Sequence, residues 1–324
     1  PGSAPGYGVL MACLRAPSGP AAPTPTAGRG RRSACRTAAP GRIALLLAAL
    51  AAASMLRAAD MPVTFDAVVA LESRPPSQTL RYGKAASNTG ALWLAAAQGP
   101  RPVVVLVHGG CWLQEYAAPH IYPLASRLAN DGYAVFVPEY RRVGEPGGGW
   151  PGSAADLVRA LDALAALDHP RLDLGRTILA GHSAGGQLAL WLASRDPALA
   201  RPPLRIVAAV GLAAITDLPS YAAGDNSCEV VTPRFLGGTL QERPGVYASA
   251  SPSSLSFAVP VALLAGEEDP IVGREQAGAL PGVTPRWLPG VGHFDWIHPQ
   301  TAAYRVLRDT VFELLDAAVK AEAP

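Results

Sequence analysis

The chain has 324 residues, 49% of them apolar, a length that fits one large α/β domain plus a tail. Its formal charge of +2 divides unevenly, because the first 59 residues hold Arg15, Arg29, Arg31, Arg32, Arg36, Arg42 and Arg57 with no acid or lysine, leaving 20 basic and 25 acidic residues in the body, 60–324. A weakly acidic body without a Lys/Arg stripe gives no electrostatic reason to expect nucleic acid as a partner.

In chain order, residues 1–40 are rich in Pro, Gly, Ala and Arg without a hydrophobic period, and read as a disordered tail or as translation upstream of the true start. The apolar run from Ile43 to Ala53 follows basic residues, is too short to span a bilayer and has the length of a signal-peptide core. Export to a periplasm or to the medium is the expectation, with no stable membrane insertion once the signal is removed. A surface helix or a membrane anchor is the alternative. Cys13 and Cys35 lie in the tail and Cys111 and Cys228 in the body, with no CxxC or Cys/His cluster of zinc spacing, so no metal is expected.

From about Pro62, apolar runs of strand length alternate with segments of helical period, which predicts a mostly parallel sheet covered on both faces. Val63 to Val69, Leu80 to Gly83 and Ala91 to Ala97 read as opening antiparallel strands. Val103 to Val107 reads as a buried central strand opening onto Gly109 and Gly110, and Tyr133 to Pro138 as another. Ile121, Leu124, Ala125 and Leu128 recur at helical spacing between them, as do Leu157, Leu161, Leu164 and Leu167 over 152–167. Thr177 to Ala180 is the next expected strand and Ala184 to Ala193 the next helix. Strands at Arg205 to Val210, Val259 to Ala265 and Pro285 to Leu288 follow, and a helix over Tyr304 to Val319 closes the chain. Residues 216–257 break the alternation, and their length and Gly, Pro and Ser content read as a lid inserted in the single domain 60–324.

Gly181-His182-Ser183-Ala184-Gly185 is a G-x-S-x-G motif between a predicted strand and a predicted helix. Glycines on both sides let strand and helix approach while the serine oxygen projects, and the helix start aims N–H groups at a developing oxyanion. A serine hydroxyl needs a base, and the base needs an orienting acid, supplied in the chain order acid then histidine. Asp269 follows a predicted strand and is the expected acid, with Glu267 and Glu268 as alternatives; His293, on a glycine-flanked loop after the last strand, is the expected base. His298 reads as a surface residue. His108-Gly109-Gly110-Cys111-Trp112 follows the central strand, so the N–H groups of Gly110 and Cys111, with that of Ala184, are the expected oxyanion donors, each worth about 3 to 4 kcal/mol, while His108 braces the loop.

These motifs, His108-Gly109-Gly110-Cys111-Trp112 with Gly181-His182-Ser183-Ala184-Gly185-Gly186, and the segment Glu139-Tyr140-Arg141-Arg142 followed by Gly147-Gly148-Gly149-Trp150-Pro151, resemble the esterase and kynurenine formamidase-like branch of the α/β-hydrolase family. The resemblance runs from about Tyr82 to the C-terminus. One departure is Cys111, where related esterases often carry a third glycine. The family implies hydrolysis of a small carboxylic ester or aryl formamide through an acyl-enzyme, with no metal and no organic cofactor. Trp112, Tyr116 and Trp296 are either lining for an apolar pocket or plain core. Two other readings share the fold: a single-domain peptidase of the prolyl-oligopeptidase type, for which Glu115 or Glu229 would recognise an amine, and a non-catalytic binding protein. Cys111 and Cys228 would form a bridge only if the insert folds back over the site mouth; two separate buried thiols are the alternative. Oligomeric state is not legible in the sequence.

Overall fold

The computed structural model describes residues 61–194 and 203–322. The proposed tail, the run Ile43 to Ala53, Cys13 and Cys35 lie outside the described residues. The body is an eight-stranded sheet: β1 (Gln78–Arg81), β2 (Thr89–Trp93), β3 (Arg101–Val107), β4 (Ala134–Pro138), β5 (Leu172–His182), β6 (Ile206–Leu212), β7 (Val261–Gly266) and β8 (Arg286–Leu288). Their order is β1-β2-β4-β3-β5-β6-β7-β8. The pairings β1 with β2 and β2 with β4 are antiparallel, and every other pairing is parallel.

Alternation along β3 shows why these strands are continuous apolar runs. Val103, Val105 and Val107 enter one core layer and Val104 and Leu106 the other, so both faces are covered. One face is covered by α3 (Gly152–Ala165) and α4 (Ala184–Ser194) through Leu157, Leu161 and Leu188. On the other, α2 (Tyr122–Asn130) and α9 (Ala302–Glu322) supply Leu124, Leu128, Leu307 and Val311.

Two elements differ from the sequence reading. Residues over Val63 to Val69 form no strand: Phe65–Val69 is a short helix, α1, because the Thr64 hydroxyl accepts a hydrogen bond from the Ala67 N–H and Asp66 sits in the first turn, where an acid is favoured. Strand β5 begins five residues before Thr177, since its first half, with Asp173 and Arg176 in an ion pair, is polar and carries no apolar run. The segment expected as a lid is built of short helices, α5 (Leu218–Tyr221), α6 (Thr232–Leu236) and α7 (Pro244–Ala250), whose Tyr221, Phe235 and Tyr247 are fully enclosed in the core layer that α3 and α4 share. Last among the helices, α8 (Arg274–Gly278) joins β7 to β8.

Parallel pairing puts the carboxyl ends of β3, β5, β6, β7 and β8 along one edge. β3 and β5 are neighbours whose onward connections diverge, which makes the crevice between them the natural place for a ligand.

Candidate active site

Ser183 is the first residue after β5 and has φ +56°, in the left-handed region that a side-chain-bearing residue enters at an energetic penalty. The fold over-determines it: the Ser183 N–H donates to Leu212 O (2.9 Å), and Ser183 O accepts from Gly186 (2.9 Å) and Gln187 (3.1 Å) at the start of α4. The flanking glycines are required by contact. A Cβ on Gly181 would lie 2.2 Å from Gly185 O, and one on Gly185 2.2 Å from His108 O. Packing of strand, helix and the 108–116 loop therefore leaves no room for a methyl group.

His293 follows β8 and Asp269 follows β7. The His293 Nδ1–H donates to Asp269 Oδ2 at 2.7 Å, and both side chains are sealed from solvent, 4% and 3% exposed. The other carboxylate oxygen accepts from the N–H groups of Ile271 (2.8 Å) and Val272 (2.9 Å), so the turn after β7 holds the acid in one orientation. Glu267 and Glu268 are exposed, the first paired with Arg274, and neither reaches the histidine. His298 is half-buried beyond the site. Ser183 and His293 line one cleft of about 230 Å³ with Gly110, Cys111, Ser227 and Ile271.

Gly110, Cys111 and Trp112 all have positive φ, at +102°, +52° and +55°. This run turns the loop beside Ser183. Glu139 holds it in place, as its carboxylate accepts from His108 Nε2 (2.8 Å) and from the Ala118 N–H (2.9 Å), while Arg142 donates to Tyr116 O (2.8 Å). Burial would raise the Glu139 carboxyl, but the His108 charge and hydrogen bond, then Arg142 and the Ala118 N–H, outweigh it and hold it down at about 2. His108 is thus a brace, as the sequence suggested, stacked on Tyr140 with ring centroids 4.5 Å apart. The role of Glu139 was not read from the sequence, although the residue stands in a segment singled out there.

Cys111 and Cys228 are bonded through their sulfurs, with Cα atoms 4.9 Å apart, so the insert is tied to the 108–116 loop beside Ser183. Trp112 is core and does not line the cleft: its ring stacks on Phe235 of α6 (4.5 Å) and its Nε1–H donates to Gln187 Oε1 (3.1 Å). Trp296 is also core, fully enclosed beneath the sheet. Both are carried inward because each flanks a turn whose other side faces the cleft. Tyr116 does line the cleft.

Four further residues reach the site without having been read from the sequence. His182 donates Nε2–H to His293 O (2.9 Å), and burial, then the charge of His293, lowers its pKa well below 6.5. His120 faces the cleft with Nδ1–H on Ala117 O (2.7 Å); burial, then the charge of His108, lowers it to about 4. Phe65 and Phe294 complete the aromatic wall. Only His182 carried a signal, its place inside the serine motif; the others are brought in by loops.

Residues 92–282, more than half of the chain, match the BD-FAE family. The chain belongs to the BD-FAE family. This BD-FAE member is 31% identical over 196 residues to esterase LipQ of Mycobacterium tuberculosis, the match covering 55% of this chain and 44% of that protein. It is 28% identical over 190 residues to esterase LipC of the same organism, covering 55% and 47%. The chain spans about half the length of the curated relatives it matches. Its fold resembles esterase B of Lactobacillus rhamnosis (TM-score 0.66, 20% identity, 87% of this chain and 97% of that one) and an esterase from the archaeon Pyrobaculum calidifontis (TM-score 0.60, 20% identity, 79% and 90%). The BD-FAE member has the α/β-hydrolase fold.

Proposed function

We propose that the protein is a serine hydrolase that cleaves small carboxylic esters through an acyl-enzyme intermediate. The observation that carries the reading is Ser183, held at φ +56° in the same cleft as a histidine whose Nδ1 is fixed 2.7 Å from a buried carboxylate. With Nδ1–H committed to Asp269, the Nε2 lone pair of His293 is the base that takes the Ser183 proton. The Ser183 oxygen attacks the ester carbonyl, the N–H groups of Ala184, Gly110 and Cys111 stabilise the oxyanion, and His293 returns the proton to the departing alcohol. Water then repeats the cycle on the acyl-enzyme.

Ester is favoured over aryl formamide because relatives and structural neighbours of this chain are named esterases. The peptidase alternative finds little support, since Glu229 accepts from the Asn226 N–H (2.8 Å) and neither it nor exposed Glu115 lines the Ser183 cleft. Export belongs to the same reading, supported by the basic-then-apolar run ending at Ala53 and by the Cys111–Cys228 pair, since disulfides persist in oxidising compartments.

The test is labelling by a fluorophosphonate probe, with turnover compared across short p-nitrophenyl esters, N-formylkynurenine and aminoacyl p-nitroanilides. Label on Ser183 with ester turnover is expected. An unlabelled, folded protein would leave a binding protein on this fold.

A further inference from the structure

A second hollow adjoins the Ser183 cleft across a shared wall. Phe65, Tyr116 and His120 wall the Ser183 cleft on one side, and the same three residues wall a second hollow of about 370 Å³ completed by Val69, Leu71 and Pro119. Phe65 stands at the junction, its ring 5.6 Å from Tyr116, 5.6 Å from His120 and 5.4 Å from Phe294. Val69 and Tyr116 leave large apolar surface exposed beside it. The helix that carries Phe65 is anchored to the histidine loop: Asp295 Oδ2 accepts from both the Val63 N–H (3.0 Å) and the Gly292 N–H (3.0 Å). Helix α1 lies outside the residues that match the family, whereas Tyr116 and His120 lie within them.

Chemistry gives the second hollow a direction. In ester cleavage the bond from acyl carbon to alcohol oxygen breaks, and that oxygen takes the proton His293 received from Ser183, so the alcohol must leave from beside the His293 ring. Phe294 adjoins that ring at 5.0 Å and Phe65 adjoins Phe294. The row of rings from His293 through Phe294 to Phe65 thus runs from the proton donor to the wall that the two hollows share.

We propose that the hollow bounded by Phe65, Tyr116, His120 and Val69 is the leaving-group subsite and takes an uncharged aryl or short alkyl alcohol. Aromatic faces and aliphatic edges match such a group, and exposed Glu115 on the rim disfavours an anion. Buried His120, held neutral, adds no charge to the wall. The proposal rests on the serine-hydrolase reading, and its test separates the two.

The measurement is the ratio of kcat/KM for 2-naphthyl acetate to that for ethyl acetate, in wild type, Phe65→Ala, Phe65→Trp and Val69→Asp, together with direct binding of 2-naphthol to each. Comparing ratios between variants cancels the different intrinsic reactivity of the two esters. Phe65→Ala and Val69→Asp are expected to lower the ratio about tenfold, and to weaken 2-naphthol binding by a similar factor, the value of one aromatic contact; Phe65→Trp is expected to retain both. Val69 is on the surface, so its replacement does not threaten folding. A ratio unchanged in both Phe65→Ala and Val69→Asp, with esters turned over and Ser183 labelled, overturns the subsite and leaves the hydrolase. Absence of ester turnover in wild type removes the hydrolase reading; binding of 2-naphthol that depends on Phe65 then still sustains the hollow as a site, and binding indifferent to Phe65 overturns it.

Discussion

Ser183, Asp269 and His293 come from three strand ends that are far apart in sequence, and each is held by its own backbone turn: left-handed φ at the serine, two N–H groups on the acid, an anchored loop at the histidine. Ser183→Ala removes the nucleophile and opens little volume, so the fold is expected to persist while turnover falls on the order of a million-fold. A variant keeping a tenth of wild-type kcat for a short p-nitrophenyl ester would remove Ser183 from the reaction. Asp269→Asn leaves His293 without its orienting charge and is expected to lose about ten-thousand-fold in kcat, whereas Glu268→Gln, at an exposed position, should change it little. If the Glu268 variant is the weaker enzyme with both folded, the acid is misassigned.

Between β3 and the insert, the element that presents Gly110 and Cys111 is supported from three sides. Glu139 and Arg142 brace it from the end of β4, Gln187 joins Trp112 to α4 and to Ala250 O (2.9 Å), and the Cys111–Cys228 bond fastens it to the insert. The bridge spans 117 positions, and closing a loop of that size stabilises the fold by about 4 to 5 kcal/mol in the chain-entropy account. Cys228→Ser is therefore expected to lower unfolding free energy by an amount of that order in denaturant titration, and non-reducing peptide mapping of the native protein should recover the two cysteine peptides linked. Two alkylatable thiols would reject the bridge. Glu139→Gln removes one member of a buried pair and is expected to cost about 3 kcal/mol, read as a lowered denaturant midpoint with unchanged slope.

For the molecule as a whole, the buried histidines set a pH dependence of folding. In the unfolded chain His120 and His182 titrate near 6.5, while in the fold burial lowers the first to about 4 and the second well below 6.5. Within that window the unfolded chain binds more protons, so stability is complete above about 6.5 and is lost as pH falls. At pH 5.5 unfolding is expected to take up protons through this pair, measured as a positive slope of unfolding free energy against pH. His120→Gln should lower that slope, and an unaltered slope would assign it elsewhere. Glu139 acts lower down: its carboxyl is depressed in the fold, so its contribution is present above about 4.5 and disappears as pH falls toward 2.

The strand segments and the chain order of Ser183, Asp269 and His293 were legible in the sequence wherever local pattern and local structure coincide. Val103 to Val107 is apolar because both sheet faces are buried, G-x-S-x-G encodes a turn too tight for any Cβ at Gly181 or Gly185, and the order Ser, Asp, His follows from strands β5, β7 and β8 ending on one edge. Choice among neighbours was less legible. That Asp269 rather than Glu268 meets His293 depends on which way one turn points, and whether Trp112 and Trp296 face cleft or core depends on what packs behind them, Phe235 in the first case. Residues 63–69 looked like a strand because Val and Phe content favours either element, and the Thr64 cap decides the matter only when no neighbouring strand is available to pair. Glu139 joins the site through His108, 31 positions away, and Phe65 through Tyr116, His120 and Phe294, 51, 55 and 229 positions away. Local sequence determines which segments bury a face and where a backbone must bend; it carries no term for side chains that meet only after the sheet has closed, and those meetings decided the pocket walls.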